Sequence, residues 1–230
     1  MAKIKTAYYC QKCGTQYPQW HGQCKNCGEW NTLVEEIVEK KSSHYDILGS
    51  GKQKIINITE VETGTEIRLK TVSEELNRVL GGGIVLGSVI LIGGEPGIGK
   101  STLLLQLALK MKKKILYVSG EESASQIKMR ADRITDIQNP NCFLYTETSI
   151  EKILMEAKNL QPDLMIVDSI QTLQSQLLES AAGTVSQIRE CSGELIKFAK
   201  EKNIPVILVG HITKDGQIAG PKVLEHMVDV

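Results

Sequence analysis

The chain has no excess of either charge. Its 230 residues carry 27 Lys and Arg against 27 Asp and Glu. A non-specific grip on nucleic acid therefore gets no help from the overall balance and needs a local basic surface. The sequence also lacks any apolar stretch of the length that crosses a bilayer, which excludes a membrane-spanning helix. The opening Met-Ala-Lys-Ile-Lys-Thr has no apolar signal core behind its lysines, so export is not expected and the cytoplasm is the expected compartment. No internal repeat is visible, so the chain is not read as a repeat array. What is present is ordinary for a globular protein. An apolar content of 41% and a charged content of 23% support a packed core. The length suits one large domain or two small ones. Four of the six cysteines are clustered, and without an export signal they are read as reduced thiols.

The most informative segment is Gly93-Gly-Glu-Pro-Gly-Ile-Gly-Lys-Ser-Thr102. It follows the apolar run Ser88-Val-Ile-Leu-Ile92, read as a buried strand, and precedes Leu103-Leu-Leu-Gln-Leu-Ala-Leu109, read as a helix. A glycine-rich turn between strand and helix, closed by Lys-Ser, is the setting of a phosphate-binding P-loop. Gly94, Gly97 and Gly99 let backbone N–H groups close around a triphosphate. Glu95, Pro96, Ile98 and Thr102 complete the expected ATP-binding loop. Lys100 is expected at the β- and γ-phosphates, and the Ser101 hydroxyl on Mg²⁺.

Near the front, Cys10-x2-Cys13 and Cys24-x2-Cys27 form two pairs with the spacing of a four-cysteine Zn²⁺ site. With four protein ligands the site is expected to be structural. About 30 residues are too few for a self-sufficient apolar core, so the metal would supply the stability. The alternative, a pair of disulfides, is disfavoured in a reducing compartment. His21 lies between the pairs but the four thiols already fill the shell, and Trp20 and Trp30 are expected to pack over the knuckle. Cys142 and Cys191 are assigned no chemistry.

Residues 1–34 are thus read as a zinc finger, 35–54 as a charged, Ser- and Gly-containing linker, and 55–230 as one α/β domain. Thr71-Val-Ser-Glu74 reads as a capping box before a short helix that stops at Gly81–Gly83. Strands are expected at 88–92, 115–119, 142–146, 164–168 and 205–209. Helices are expected at 100–111, after Ser123, after Thr148, and at 185–202. Runs such as Leu164-Met-Ile-Val167 and Val206-Ile-Leu-Val209 are apolar throughout, as in a parallel sheet covered on both faces.

In such sheets ligands bind beyond the carboxyl ends of the strands. Asp168 ends an apolar strand in the Walker B manner and is expected to hold Mg²⁺. Glu121 and Glu122 follow strand 115–119. A carboxylate there can polarise the attacking water. Glu121 is the first choice and Glu122 the reserve; the alternative is two acids at a helix start, favoured by its dipole. His211, at the end of strand 205–209, can hydrogen-bond a γ-phosphate or be a satisfied histidine at a strand end. Lys214 lies on the loop that follows. The run Lys110, Lys112, Lys113, Lys114 is read as electrostatics at a helix C-terminus before any nucleic-acid role.

Taken in order, the cysteine quartet and six further segments resemble the bacterial RadA (Sms) family of RecA-like ATPases. Those segments are Arg78-Val-Leu-Gly-Gly-Gly-Ile84, the P-loop, Val118-Ser-Gly-Glu-Glu-Ser123, Val167-Asp-Ser-Ile-Gln-Thr172, Ser186-Gln-Ile-Arg-Glu-Cys191 and Gly210-His-Ile-Thr-Lys-Asp-Gly216. The resemblance implies a RecA-like ATPase core behind a zinc finger, with Zn²⁺, ATP and Mg²⁺ as cofactors. It implies a DNA-dependent ATPase of homologous recombination and repair, acting in branch migration on single-stranded and branched DNA. It further implies partnership with the RecA recombinase and a hexameric ring. It gives Glu121, Lys100 and His211 to catalysis, and Leu173–Gly183 and His211–Lys222 to DNA-facing loops. The family continues with a Lys-Asn-Arg-Phe-Gly motif and a Lon-protease-like domain. This sequence stops at Val230 before both, so it reads as the N-terminal part of a longer protein. Two other readings remain at this point: a nucleotide-gated interaction protein, and a hexameric replicative helicase, against which the zinc finger counts.

Overall fold

The computed structural model describes residues 5–38, 57, 68–134, 139–211 and 223–230. Most of the span read as a linker, 39–54, and the loop 212–222 with Lys214 lie outside the described residues. At the front, β1 (Lys5–Cys10), β2 (Gln16–Tyr17) and β3 (Leu33–Val38) form an antiparallel sheet in the order β2-β1-β3. β3 continues through the first four residues of the span read as linker, because Lys5 to Tyr8 of β1 offer it a ladder to pair with.

A short antiparallel pair, β4 (Arg68–Leu69) and β5 (Ile84–Val85), brackets α1 (Glu74–Val79). The cap of α1 is Ser73, whose hydroxyl accepts from Leu76 N at 3.2 Å, not Thr71. Thr71 instead exchanges two hydrogen bonds with the Asn77 side chain. The acids Glu74 and Glu75 then fall in the first turn, where the helix dipole favours them.

The main sheet follows as an alternation of strands and helices. In chain order these are β6 (Val89–Gly94), α2 (Lys100–Lys110), β7 (Ile115–Ser119), α3 (Ala124–Ile134), β8 (Cys142–Thr146), α4 (Ile150–Leu160), β9 (Leu164–Asp168), α5 (Val185–Lys202), β10 (Val206–His211) and the short α6 (Val223–Met227). The five strands run parallel in the order β6-β10-β9-β7-β8. Successive side chains of a strand point to opposite faces, and both faces are covered. Met165 and Val167 of β9 meet Ile153 of α4 and Ile188 and Leu195 of α5 in one buried cluster. Leu164 and Ile166 meet Leu104 and Ala108 of α2 and Ile127 of α3 in the other. That is why these strands are apolar at every position.

The register sets the functional end of the sheet. Gly94 pairs with His211, and Ser119 with Asp168. The carboxyl ends of β6, β10, β9 and β7 therefore lie side by side. The outer edge of β6 is met by the last two residues, with Asp229 N donating to Val89 O at 2.9 Å and Leu91 N to Val230 O at 2.8 Å.

Candidate nucleotide and metal sites

The turn from β6 to α2 is shaped by its glycines. Gly97 has φ +80° and Gly99 φ +100°, values that side-chain-bearing residues rarely adopt. Gly99 caps α2 in the left-handed conformation with no side-chain cap, so the first N–H groups of the helix are left facing the turn. Lys100 is buried, and its ammonium donates to Gly94 O at 2.7 Å and Glu95 O at 2.8 Å. A cation held at the mouth of this turn, beside the positive end of α2, makes a cradle for phosphate oxygens. Glu95, Pro96, Ile98 and Thr102 are exposed around it, and Ser101 stands half-buried in the first helical turn.

Across the sheet end, Asp168 is a buried carboxylate. Its Oδ2 accepts from the Tyr117 hydroxyl at 2.7 Å, and the same hydroxyl reaches Ser101 O at 3.5 Å. Burial first, then the Asp168 charge and hydrogen bond, push the Tyr117 phenol far up, so it stays a donor. Oδ1 of Asp168 has no hydrogen-bond partner among the described residues. A buried anion with one oxygen committed and one open, opposite the Ser101 turn, fits a Mg²⁺ ion held by hard oxygen ligands.

Glu121 and Glu122 are pulled in different directions. Glu122 Oε1 is tied to Arg130 of α3 at 2.8 Å. Glu121 turns toward the strand ends, where its Oε1 accepts from the Ser169 hydroxyl at 2.5 Å and lies 3.1 Å from His211 Nε2. Partial burial pulls the Glu121 carboxyl up. The hydrogen bonds from Ser169 and His211, with the charges of His211 and Lys100, outweigh it, so the net shift is down. His211 Nδ1 is buried without a partner among the described residues.

In the small front sheet, Cys10, Cys13, Cys24 and Cys27 bring all four Sγ atoms within 4.8 Å of one another. Cys10–Cys27 and Cys13–Cys24 Sγ separations are 3.6 and 3.5 Å. A tetrahedron of thiolates about 2.3 Å from Zn²⁺ has edges of about 3.8 Å, so the quartet fits that metal. All four cysteines are free of disulfides. Burial raises the Cys24 thiol, but the Tyr17 hydroxyl and the N–H groups of Cys27 and Asn26 outweigh it and bring it to about 6. Burial carries Cys27 up to about 12. His21 packs its ring edge-on to Tyr17 at 5.6 Å and lies outside the quartet.

A family profile described as "AAA domain" matches residues 58–217, and one described as "Rubredoxin metal binding domain" matches residues 8–35. The chain belongs to the AAA domain family. Behind its rubredoxin-like zinc ribbon, this AAA domain is the α/β core with a parallel sheet that the sequence leads one to expect. It is a relative of proteins named "DNA repair protein RadA". It is 50% identical over 236 residues to the one from Bacillus subtilis (strain 168), covering 100% of this chain and 51% of that protein. With the Aquifex aeolicus (strain VF5) protein the identity is 50% over 231 residues, with the same coverage. With that of Streptococcus pyogenes serotype M6 it is 48% over 232 residues, again covering 51% of that protein. The chain spans about half the length of the curated relatives it matches. Among the described residues, no helix of this AAA domain or its ribbon is long and apolar enough to cross a membrane.

The structure brings Lys100, Ser101, Asp168, Glu121 and His211 to one end of the AAA sheet. It brings both tryptophan rings beside Gly22, just ahead of the second cysteine pair, but leaves them largely exposed. Trp20 and Trp30 are 55% and 66% exposed, because Tyr17, Tyr8 and Leu33 already fill the small core around Cys10 and Cys24. Two residues of the site escape sequence reasoning. Tyr117 reads as one more apolar strand residue, and only the register, which pairs it with Ile166 beside Val167 and Asp168, places its hydroxyl on Asp168. Ser169 follows Asp168 in sequence, but its contact with Glu121 spans 48 positions.

Proposed function

We propose that this chain binds Mg²⁺ and ATP at the β6–α2 turn and hydrolyses the nucleotide. In this reading it is the motor part of a DNA-dependent ATPase of recombinational repair. The observation that carries the reading is the meeting of a buried lysine in a glycine turn after β6, a buried aspartate ending β9 and an anchored glutamate after β7, all at the carboxyl end of one sheet. Lys100 and the first N–H groups of α2 bind and orient the phosphates. Ser101 and Asp168 hold Mg²⁺, which when bound neutralises charge developing on the phosphate oxygens. Glu121, kept ionised by Ser169 and His211, takes the proton of the attacking water, and Glu122 is spared for the ion pair with Arg130. His211 stands where it can exchange its bond to Glu121 for one to a phosphate oxygen.

The relatives' name, DNA repair protein RadA, supports DNA as the polymer on which turnover acts. Branch migration on single-stranded and branched DNA, partnership with the RecA recombinase, a hexameric ring and a cytoplasmic setting complete the proposal. The ribbon would hold one Zn²⁺ as a structural ion. The deciding experiment measures ATP hydrolysis with and without single-stranded DNA. Stimulation supports the motor reading. Nucleotide binding with a DNA-independent rate favours a nucleotide-gated interaction protein instead.

A further inference from the structure

Ser169 enters binding and hydrolysis only through its bond to Glu121, which helps to keep that carboxylate ionised. The serine is wholly buried. A buried hydroxyl takes a partner, and a serine with a purely structural task can satisfy itself on a nearby carbonyl. Ser169 instead gives its proton to Glu121 Oε1, on the loop after a neighbouring strand, at 2.5 Å. That is the short range of an O–H donor on a carboxylate, the stronger class of hydrogen bond.

The surroundings make this contact matter. Glu121 is 45% exposed at its side chain, so burial alone does not choose its rotamer. His211 Nε2 approaches the same Oε1 at 3.1 Å, while Oε2 meets no partner among the described residues. One oxygen is thus fixed and the other is left open. The backbone under Glu121 is fixed by the same turn that carries Ser169. Gly120 N donates to Asp168 O at 3.0 Å. A Cβ on Gly120 would lie 2.0 Å from Thr172 Oγ1, so the loop and the turn are in direct contact. Thr172 Oγ1 in turn donates to Ser169 O at 2.7 Å. The hydrogen bonds of Lys100 run to Gly94 O and Glu95 O and do not involve Ser169.

We propose that Ser169 is a positioning residue for hydrolysis: it holds Glu121 by Oε1, so that Oε2 is presented to the attacking water. The proposal rests on the reading of Glu121 as the base. Its consequence is a split between turnover and binding. Removing the hydroxyl frees the carboxylate to sample solvent-facing rotamers, which lowers kcat and leaves ATP and Mg²⁺ binding unchanged.

The test compares Ser169→Ala, Ser169→Thr, Ser169→Cys, Glu121→Gln and the Ser169→Ala/Glu121→Gln pair. The readouts are Mg²⁺-ATP turnover with single-stranded DNA present and binding of a fluorescent ATP analogue. Ser169→Ala should lower kcat by about tenfold or more, the loss of a hydrogen bond to a charged group, with the KM for ATP and the Mg²⁺ midpoint within about twofold. Ser169→Thr should recover most of the rate. Ser169→Cys, close in volume but a weak donor, should share the loss. Ser169→Ala should cost nothing further in the Glu121→Gln background. Parental kcat in Ser169→Ala beside a slow Glu121→Gln overturns the positioning role alone. Parental turnover in Glu121→Gln overturns the base reading and this proposal with it. A loss that falls on KM, or that multiplies in the pair, assigns Ser169 to Asp168 or to packing and also overturns it.

Discussion

Lys100 has no understudy. Its ammonium sits between the carbonyls of Gly94 and Glu95, and no other lysine or arginine stands in the turn. Lys100→Ala should therefore abolish tight ATP binding, measured by titration with a fluorescent nucleotide; parental affinity would contradict the P-loop assignment. The paired glutamates make a sharper case. Glu121→Gln keeps shape but removes the base, so ATP should still bind while turnover falls by about 10²–10⁴. Glu122→Gln should weaken a half-buried ion pair with Arg130 and keep most of its rate. Single-turnover hydrolysis separates the two, and the reverse ranking would move the base to Glu122. Asp168→Asn should differ from both by raising the Mg²⁺ concentration needed for binding. At this scale the sequence is legible where a motif is contiguous, as in Gly94 to Thr102. It is illegible where a contact is made by register. Nothing in the neighbours of Tyr117 or Ser169 announces that one donates to Asp168 and the other to Glu121.

At the scale of elements, apolar runs place every strand of the main sheet to within two residues; in β7, β9 and β10, buried almost throughout, no exposed polar position blurs the run. Helix starts at Lys100, Ala124 and Val185 are read as they stand, and two others are misplaced. Ser123 is the expected cap of α3, accepting from Gln126 N while Gln126 Oε1 accepts from Ser123 N, but at α1 and α4 the expected cap precedes the true one, by two positions at Ser73 and one at Ser149, because several hydroxyls compete and the backbone geometry decides among them. The start of α4 also gains an acid that sequence reading passes over. Glu147 accepts from Thr148 N at 2.8 Å and Ser149 N at 3.1 Å and pairs with Lys152 at 2.9 Å. The Ser149 and Thr148 amides and the Lys152 side chain hold its carboxyl down at about 2, against 4.5 ordinarily. A carboxylate with a lowered folded-state pKa stabilises the fold above its unfolded value and loses that contribution as pH falls through the folded one. Glu147→Gln should thus lower stability by about 0.5–2 kcal/mol at pH 7, the range for helix-capping groups. The gap between variant and parent should close as pH falls from about 4.5 toward 2. Denaturant melts at the two ends of that window check it, and a gap independent of pH would assign the effect to shape, not charge.

At the scale of the whole molecule, the described residues bury three separate apolar clusters, two against the faces of the parallel sheet and one small one around Cys10, Cys24 and Leu33. The small cluster is too slight to hold a ribbon by hydrophobic burial, and two tryptophans that could have enlarged it stay in solvent. Metal binding must then supply the folding free energy of this part, since the ligands are assembled only when the ribbon folds. The large clusters share no residue with it. A strong chelator, or Cys10→Ala, should accordingly unfold residues 5–38 while the parallel sheet stays folded and nucleotide affinity stays within about threefold, because no ribbon residue lies in the Lys100 turn or at Asp168. Trp20 and Trp30 are the only two tryptophans in the chain and both lie in the ribbon, so their fluorescence reports its unfolding without interference. Far-ultraviolet circular dichroism reports the helices of the larger unit. Metal analysis of protein purified without chelator should find one Zn²⁺ per chain. A single transition that takes tryptophan signal, helix signal and ATP binding together would show that ribbon and sheet fold as one cooperative unit, and the separation argued from the clusters would fall.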